Sequence, residues 1–314
     1  MLDFKPTQAA ALSVASNSTL VVLKLSAGLV MGSVSVLSEA IHSGLDLLAA
    51  IIALYSVTES KKPPDEKHSY GHGKIENFSA LIEALLIFVA AIWIIYEAVK
   101  KLIHGVEVES LGLGILVMGV SAVANQLISR MLFKVAAKHD SQALEADGLH
   151  LRTDVYTSVG VLAGLGAISV TGIKLLDPII AMGVAALIIK ASWDLTKRSF
   201  LPLLDVRMVE EEEKAFLGII EAHRGQFVEF HKFRTRKAGP ERHIDLHLVV
   251  RPDLPLPAAH ALANSIEQAV RVKWSRVSVL IHMEPCQAAS CDVCDLTCPQ
   301  TGGAGAPTGE KSVP

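Results

Sequence analysis

Apolar residues gather in six stretches along the first two thirds of the chain, at 12–32, 34–57, 77–99, 111–135, 145–170 and 175–196. Each is near the roughly 20 residues that a helix needs to cross a bilayer. After Trp193 the pattern changes: Asp, Glu, Lys, Arg and Pro become frequent, and no further stretch of that length occurs. VEEEEKAFLGIIEAHR (209–224) has acidic residues in its first turn and apolar positions at helical spacing. HKFRTRK (231–237) and ERHIDLHLVV (241–250) alternate around AGP, a turn signal. LPAAHALANSIEQAVRVKW (256–274) is helical again, and RVSVLIHMEP (276–285) reads as a strand. The pattern thus predicts an α-helical membrane protein with six transmembrane helices in residues 1–206, followed by a small α+β domain, αββαβ, in 207–285. The remainder, 286–314, is rich in Cys, Gly, Pro and Ser and reads as a flexible tail.

Composition agrees with a membrane location. Of 314 residues, 51% are hydrophobic and 19% charged, and the mean hydropathy is +0.41, whereas a soluble chain carries about a quarter charged residues. With 29 basic against 32 acidic residues, a net charge of −3 gives no electrostatic reason to bind nucleic acid. All four cysteines, Cys286, Cys291, Cys294 and Cys298, fall in one short segment, so no disulfide scaffold staples the body of the chain.

Charge in the short loops sets the expected orientation. Lys61, Lys62, Lys67, Lys74, Arg130, Lys134, Lys138, Lys197 and Arg198 fall on one side, against Lys100, Lys101 and Lys174 on the other. The positive-inside bias places both termini and the soluble domain in the cytoplasm. MLDFKPTQ lacks the basic region and cleavage site of a signal peptide, so the first span is expected to stay.

Ionisable groups inside spans are costly and mark functional interiors. The second span holds Glu39, His42 and Asp46, and the fifth holds His150, Arg152 and Asp154. His42 and Asp46 are four residues apart, as are His150 and Asp154, so each pair lies on one face of its helix. Spans two and five run antiparallel, so the two pairs can meet at similar depth. Two imidazoles and two carboxylates suit a tetrahedral divalent ion, Zn²⁺ above all. The alternative is that each His and Asp merely bonds to a neighbouring helix. Lys24, Glu39 and Glu83 show no such repetition and read as packing or helix-pairing groups. Because these ligands bind metal only when deprotonated, metal and protons compete for them, which supplies an antiport mechanism by alternating exposure of a midplane site. No GxxxxGK[ST] motif is present, and the absence of HExxH argues against an intramembrane metalloenzyme.

SVLSEAIHSGLDLLAA, HSYGHGKIEN, SQALEADGLHLRTD and HKFRTRKAGP together resemble the cation diffusion facilitators, proton-coupled exporters of divalent metals, in order over about residues 10–286. The match is closest to short bacterial zinc/iron efflux members, which are inner-membrane homodimers with six spans and a ferredoxin- or metallochaperone-like cytoplasmic domain. The resemblance implies a transport site at His42, Asp46, His150 and Asp154. His42 stands where several bacterial relatives carry Asp, which favours Zn²⁺ over Mn²⁺ or Cd²⁺. Fe²⁺, Cd²⁺ and Mn²⁺ are the further candidate substrates. The resemblance also implies a loop site at Asp65, His68 and His72, for which a plain polar loop is the alternative. It implies a binuclear cytoplasmic site at His231, His247, His260, His282 and Glu284, the last being Asp in close relatives; ordinary surface histidines are the alternative. A charge interlock between subunits falls on Lys74 and Asp205, and an apolar gate on Leu149, which otherwise is a packing leucine. His104, His139, His223 and His243 match no family ligand. The cysteine tail lies beyond the resemblance: its spacing supports an iron–sulfur cluster only weakly, and a Zn²⁺ or other soft-ion site stands against an inert or reactive tail. The competing function is a membrane-anchored metal sensor or scaffold that dimerises on metal.

Overall fold

A computed structural model describes residues 4–31, 34–104, 112–173 and 175–286. The chain divides into two units, Met1–Leu204 and Asp205–Pro314.

The first unit is helical: α1 Pro6–Met31, α2 Val34–Glu59, α3 Lys74–His104, α4 Gly112–His139, α5 Gln142–Thr171 and α6 Leu176–Phe200, closed by a short 3₁₀ turn. Each apolar stretch lies within a helix or nearly so, and several helices run past it. Thus α1 begins at Pro6, where a missing N–H costs nothing in the first turn, and α3 begins at Lys74. Among the described residues, α1, α2, α3 and α6 contain segments long and apolar enough to cross a membrane. In α5, Glu145, Asp147, Arg152 and Asp154 break the apolar run.

Packing is most extensive between α1 and α2, α3 and α6, and α4 and α5, while α2 also touches α5. Small residues permit these approaches: Ala49, Ala50, Ala53, Ala80, Ala84 and Ala91 are fully buried or nearly so. Gly160 on α5 lies so close to α6 that a Cβ there would sit 2.9 Å from Val184 Cγ2. Large apolar side chains such as Leu45, Trp93 and Leu187 face outward, as lipid-facing positions do. At one end of the bundle, buried Glu76 accepts from Ser60 Oγ at 2.6 Å and from Ser141 Oγ at 2.5 Å. This carboxylate joins the end of α2 and the start of α3 to the residue that caps α5.

The second unit carries α7 Glu210–Glu221, β1 Glu229–Ala238, β2 Glu241–Val250, α8 Leu256–Lys273 and β3 Val277–Pro285. The helix, strand, strand, helix, strand order agrees with the alternation in the sequence. The sheet runs β1-β2-β3, with β1 and β2 antiparallel and β2 and β3 parallel. Phe216 and Ile220 of α7 and Leu262, Ile266 and Val270 of α8 bury themselves against Ile244, Leu246 and Leu248. Alternation then turns His247 to the opposite face of β2.

Candidate functional site

The two His-x-x-x-Asp pairs converge. His150 Nε2 lies 3.0 Å from Asp46 Oδ1, joining α5 to α2. His42 Nε2 lies 3.9 Å from Asp154 Oδ1 and 4.0 Å from Asp46 Oδ1. Ligand atoms of His42, Asp46 and Asp154 all fall within 4.8 Å of one another, and His150 adjoins them through Asp46. Asp46 and His150 are buried, Asp154 is half-buried and His42 is exposed.

Local packing holds this geometry. Gly148, two residues before His150, lets α5 approach α4, since a Cβ there would lie 3.3 Å from Leu132 and from the Phe133 ring. Ser129 Oγ donates to Gly148 O at 2.7 Å, and the Arg152 guanidinium stacks 4.0 Å over the Phe133 ring. Arg152 thus packs against α4.

A cavity of ≈ 130 Å³ opens on the site, lined by His42, Asp46 and Asp154 together with Lys24, Ser121 and Asn125. The lone-residue pattern of Lys24 gave no reason to place it here. It is buried, lines the cavity and donates to Ser43 Oγ at 2.8 Å. Ser121 and Asn125 were likewise missed, because single uncharged polar residues in an apolar span carry little signal. Fully buried Glu83 on α3 and Asp147 on α5, one turn before His150, also lie in the helical unit. Leu149 packs against the cluster of Ala80, Ile87 and Ile188 between α3 and α6.

The loop cluster is formed as spaced. Asp65 Oδ1 accepts the backbone N–H groups of Lys67 and His68 at 2.9 and 2.7 Å, which holds its carboxyl below the ordinary value, led by the bond from His68. His68 Nδ1 and His72 Nε2 approach that carboxylate at 3.1 and 3.2 Å. Gly71 makes the turn between them at φ 79°. One ligand atom from each residue therefore lies within 4.8 Å of the other two.

In the second unit, strand register makes the site. His231 pairs with His247, and His247 pairs with His282, so the three imidazoles form a row across the sheet. Glu284, two residues beyond His282, shares their face and lies 2.6 Å from His247 Nδ1, 3.1 Å from His231 Nε2 and 3.6 Å from His282 Nε2. The bond from His247 leads in holding the Glu284 carboxyl below its usual value. His231, His247 and Glu284 present a possible ligand set. His260 is exposed on α8 and is not among these residues; α8 packs on the sheet face bearing Leu246, opposite to His247. Lys74 Nζ reaches Leu203 O at 3.5 Å, while Asp205 Oδ1 accepts from Arg236 Nη1 at 3.0 Å. Cys286 packs with Val228 and Val249, and its N–H bonds to Val250 O at 2.8 Å. Cys291, Cys294 and Cys298 lie outside the described residues.

Residues 10–204 match the cation efflux transmembrane domain, and residues 208–286 match the cytoplasmic domain of cation efflux proteins. An uncharacterized transporter of Synechocystis sp. is 34% identical over 88% of this chain and 89% of its own. The cation-efflux pump FieF of Klebsiella pneumoniae is 31% identical over 89% of this chain and 92% of its own. A solved structure of CzrB, 33% identical, covers 26% of this chain and 99% of its own with a TM-score of 0.25. The chain belongs to the cation efflux family, the cation diffusion facilitators. It is a multi-pass membrane transporter of metal ions with a small cytoplasmic α/β domain, and not an enzyme.

Proposed function

We propose that this protein is a proton-coupled antiporter that exports divalent metal ions, Zn²⁺ first among them, by alternating access at His42, Asp46, His150 and Asp154. The observation that carries the reading is the meeting of the two pairs across α2 and α5, with His150 3.0 Å from Asp46 and His42 3.9 Å from Asp154. Two nitrogens and two carboxylates match a four-coordinate Zn²⁺. The same lone pairs take protons when the ion leaves, so one site can exchange metal for protons as its exposure alternates. Six spans then form residues 1–206, with both termini on the cytoplasmic side of the inner membrane. Residues 207–285 form a metal-binding dimerisation domain in a homodimer, with Lys74 and Asp205 joining the subunits. The loop set Asp65, His68, His72 and the cytoplasmic set His231, His247, His260, His282, Glu284 are proposed as further metal sites.

The purified protein in liposomes tests this. An imposed pH gradient should drive Zn²⁺ flux, and dissipating the gradient should stop it. Asp154→Ala should lower flux at least about 100-fold while the protein stays folded, since a lost ligand removes metal affinity that no neighbour restores. Flux that survives loss of Asp154 disproves the site, and Zn²⁺ flux indifferent to pH disproves the coupling.

A further inference from the structure

The cavity beside the metal ligands has a second wall made by α4. Ser121 and Asn125 stand four residues apart and so share one face of that helix. Both line the cavity that His42, Asp46 and Asp154 also line. Their exposures are only 5% and 7%, and among the described residues Ser121 Oγ and Asn125 Oδ1 have no hydrogen-bond partner. Orphaned buried oxygens are costly, and a protein retains them where another species satisfies them. At ≈ 130 Å³ the cavity is well above the roughly 10–15 Å³ that one water needs by the same measure, so it has space for an ion.

This bears on which ions the site takes. His42, Asp46, His150 and Asp154 complete the shell of a tetrahedral ion but leave Mn²⁺ or Fe²⁺, which favour six largely oxygen ligands, two short. A hydroxyl and a carboxamide oxygen are neutral donors that extend the shell without adding charge. We propose that Ser121 and Asn125 supply the fifth and sixth donors at the transport site and so admit six-coordinate ions, Mn²⁺ and Fe²⁺, beside Zn²⁺. The inference rests on the transport reading above and deepens it from one metal to a class.

The test uses the full chain in liposomes, with Zn²⁺, Mn²⁺ and Fe²⁺ supplied singly to wild type, the double variant Ser121→Ala/Asn125→Leu, and Asn125→Asp. The double variant should lower Mn²⁺ and Fe²⁺ flux at least about ten-fold more than it lowers Zn²⁺ flux. Asn125→Asp, which puts a harder charged oxygen at the same position, should raise the Mn²⁺ to Zn²⁺ flux ratio at least about three-fold. A parallel fall for all three metals in the double variant marks a structural role and overturns the proposal, as does an unchanged ratio in Asn125→Asp. Wild type that carries Zn²⁺ but neither Mn²⁺ nor Fe²⁺ overturns it while leaving the Zn²⁺ transporter intact. Wild type that carries none of the three removes the transport reading itself.

Discussion

His42 is the residue where donor chemistry is simplest to change. Its imidazole lies beside the carboxylates of Asp46 and Asp154, and it is exposed at the cavity rather than locked in packing. Replacing that nitrogen by oxygen in His42→Asp should lower the preference for Zn²⁺ over Cd²⁺ or Mn²⁺ by about ten-fold, read as a ratio of fluxes or dissociation constants. An unchanged ratio would remove His42 from the coordination shell. The identity of such residues was legible because repeated ionisable pairs do not belong in spans by chance. Lys24 and Asn125 were not legible: one polar residue in an apolar helix looks the same whether it faces a cavity or a neighbouring helix.

Elements are held by a few contacts whose loss can be measured. Thr235 Oγ1 on β1 accepts the Met208 N–H at 3.0 Å and donates to Glu213 Oε1 on α7 at 2.6 Å. Arg207 Nε adds bonds to both Glu213 oxygens at 3.2 and 3.1 Å. Burial would push the Glu213 carboxyl up, but the bonds from Arg207 and Thr235 outweigh it and hold the group below its usual value. A carboxyl depressed on folding stabilises at pH above its unfolded value, about 4.3, and that stability is lost as pH falls through the folded value beneath it. The thermal stability of the second unit should therefore fall steeply below about pH 4.3, and Glu213→Gln should flatten that dependence and cost about 1–2 kcal/mol at neutral pH. In the helical unit, Gly160→Ala would set a Cβ 2.9 Å from the branched side chain of Val184, which has no free end to yield. Melting in detergent should show a loss of about 1–3 kcal/mol, with metal affinity at the His42 site little changed. The order of elements was readable from periodicity. Helix ends were less so, because α1 and α3 continue past their apolar stretches on polar residues.

At the scale of the whole molecule, charge at and beyond the ends of the apolar stretches predicts topology. Nine Lys and Arg residues, Lys61 to Arg198, lie on the side assigned to the cytoplasm, and three, Lys100, Lys101 and Lys174, lie opposite. Reporter fusions at residue 5 and at residue 286 should both read as cytoplasmic, and a fusion in the loop after Lys101 should read as external. Opposite locations for the two termini would exclude an even number of spans. The sequence by itself determined the helical membrane unit, the αββαβ order and the two identically spaced His and Asp pairs, because spacing of 3.6 or 2 residues acts within a few neighbours along the chain. The tertiary structure decided that His150 meets Asp46 of α2 more closely than His42 meets its own-helix Asp46. It also decided that register lines up His231, His247 and His282, and that α4 closes the cavity with Ser121 and Asn125. These are meetings of residues far apart in the chain, which follow from how helices and strands pack and from nothing their neighbours encode.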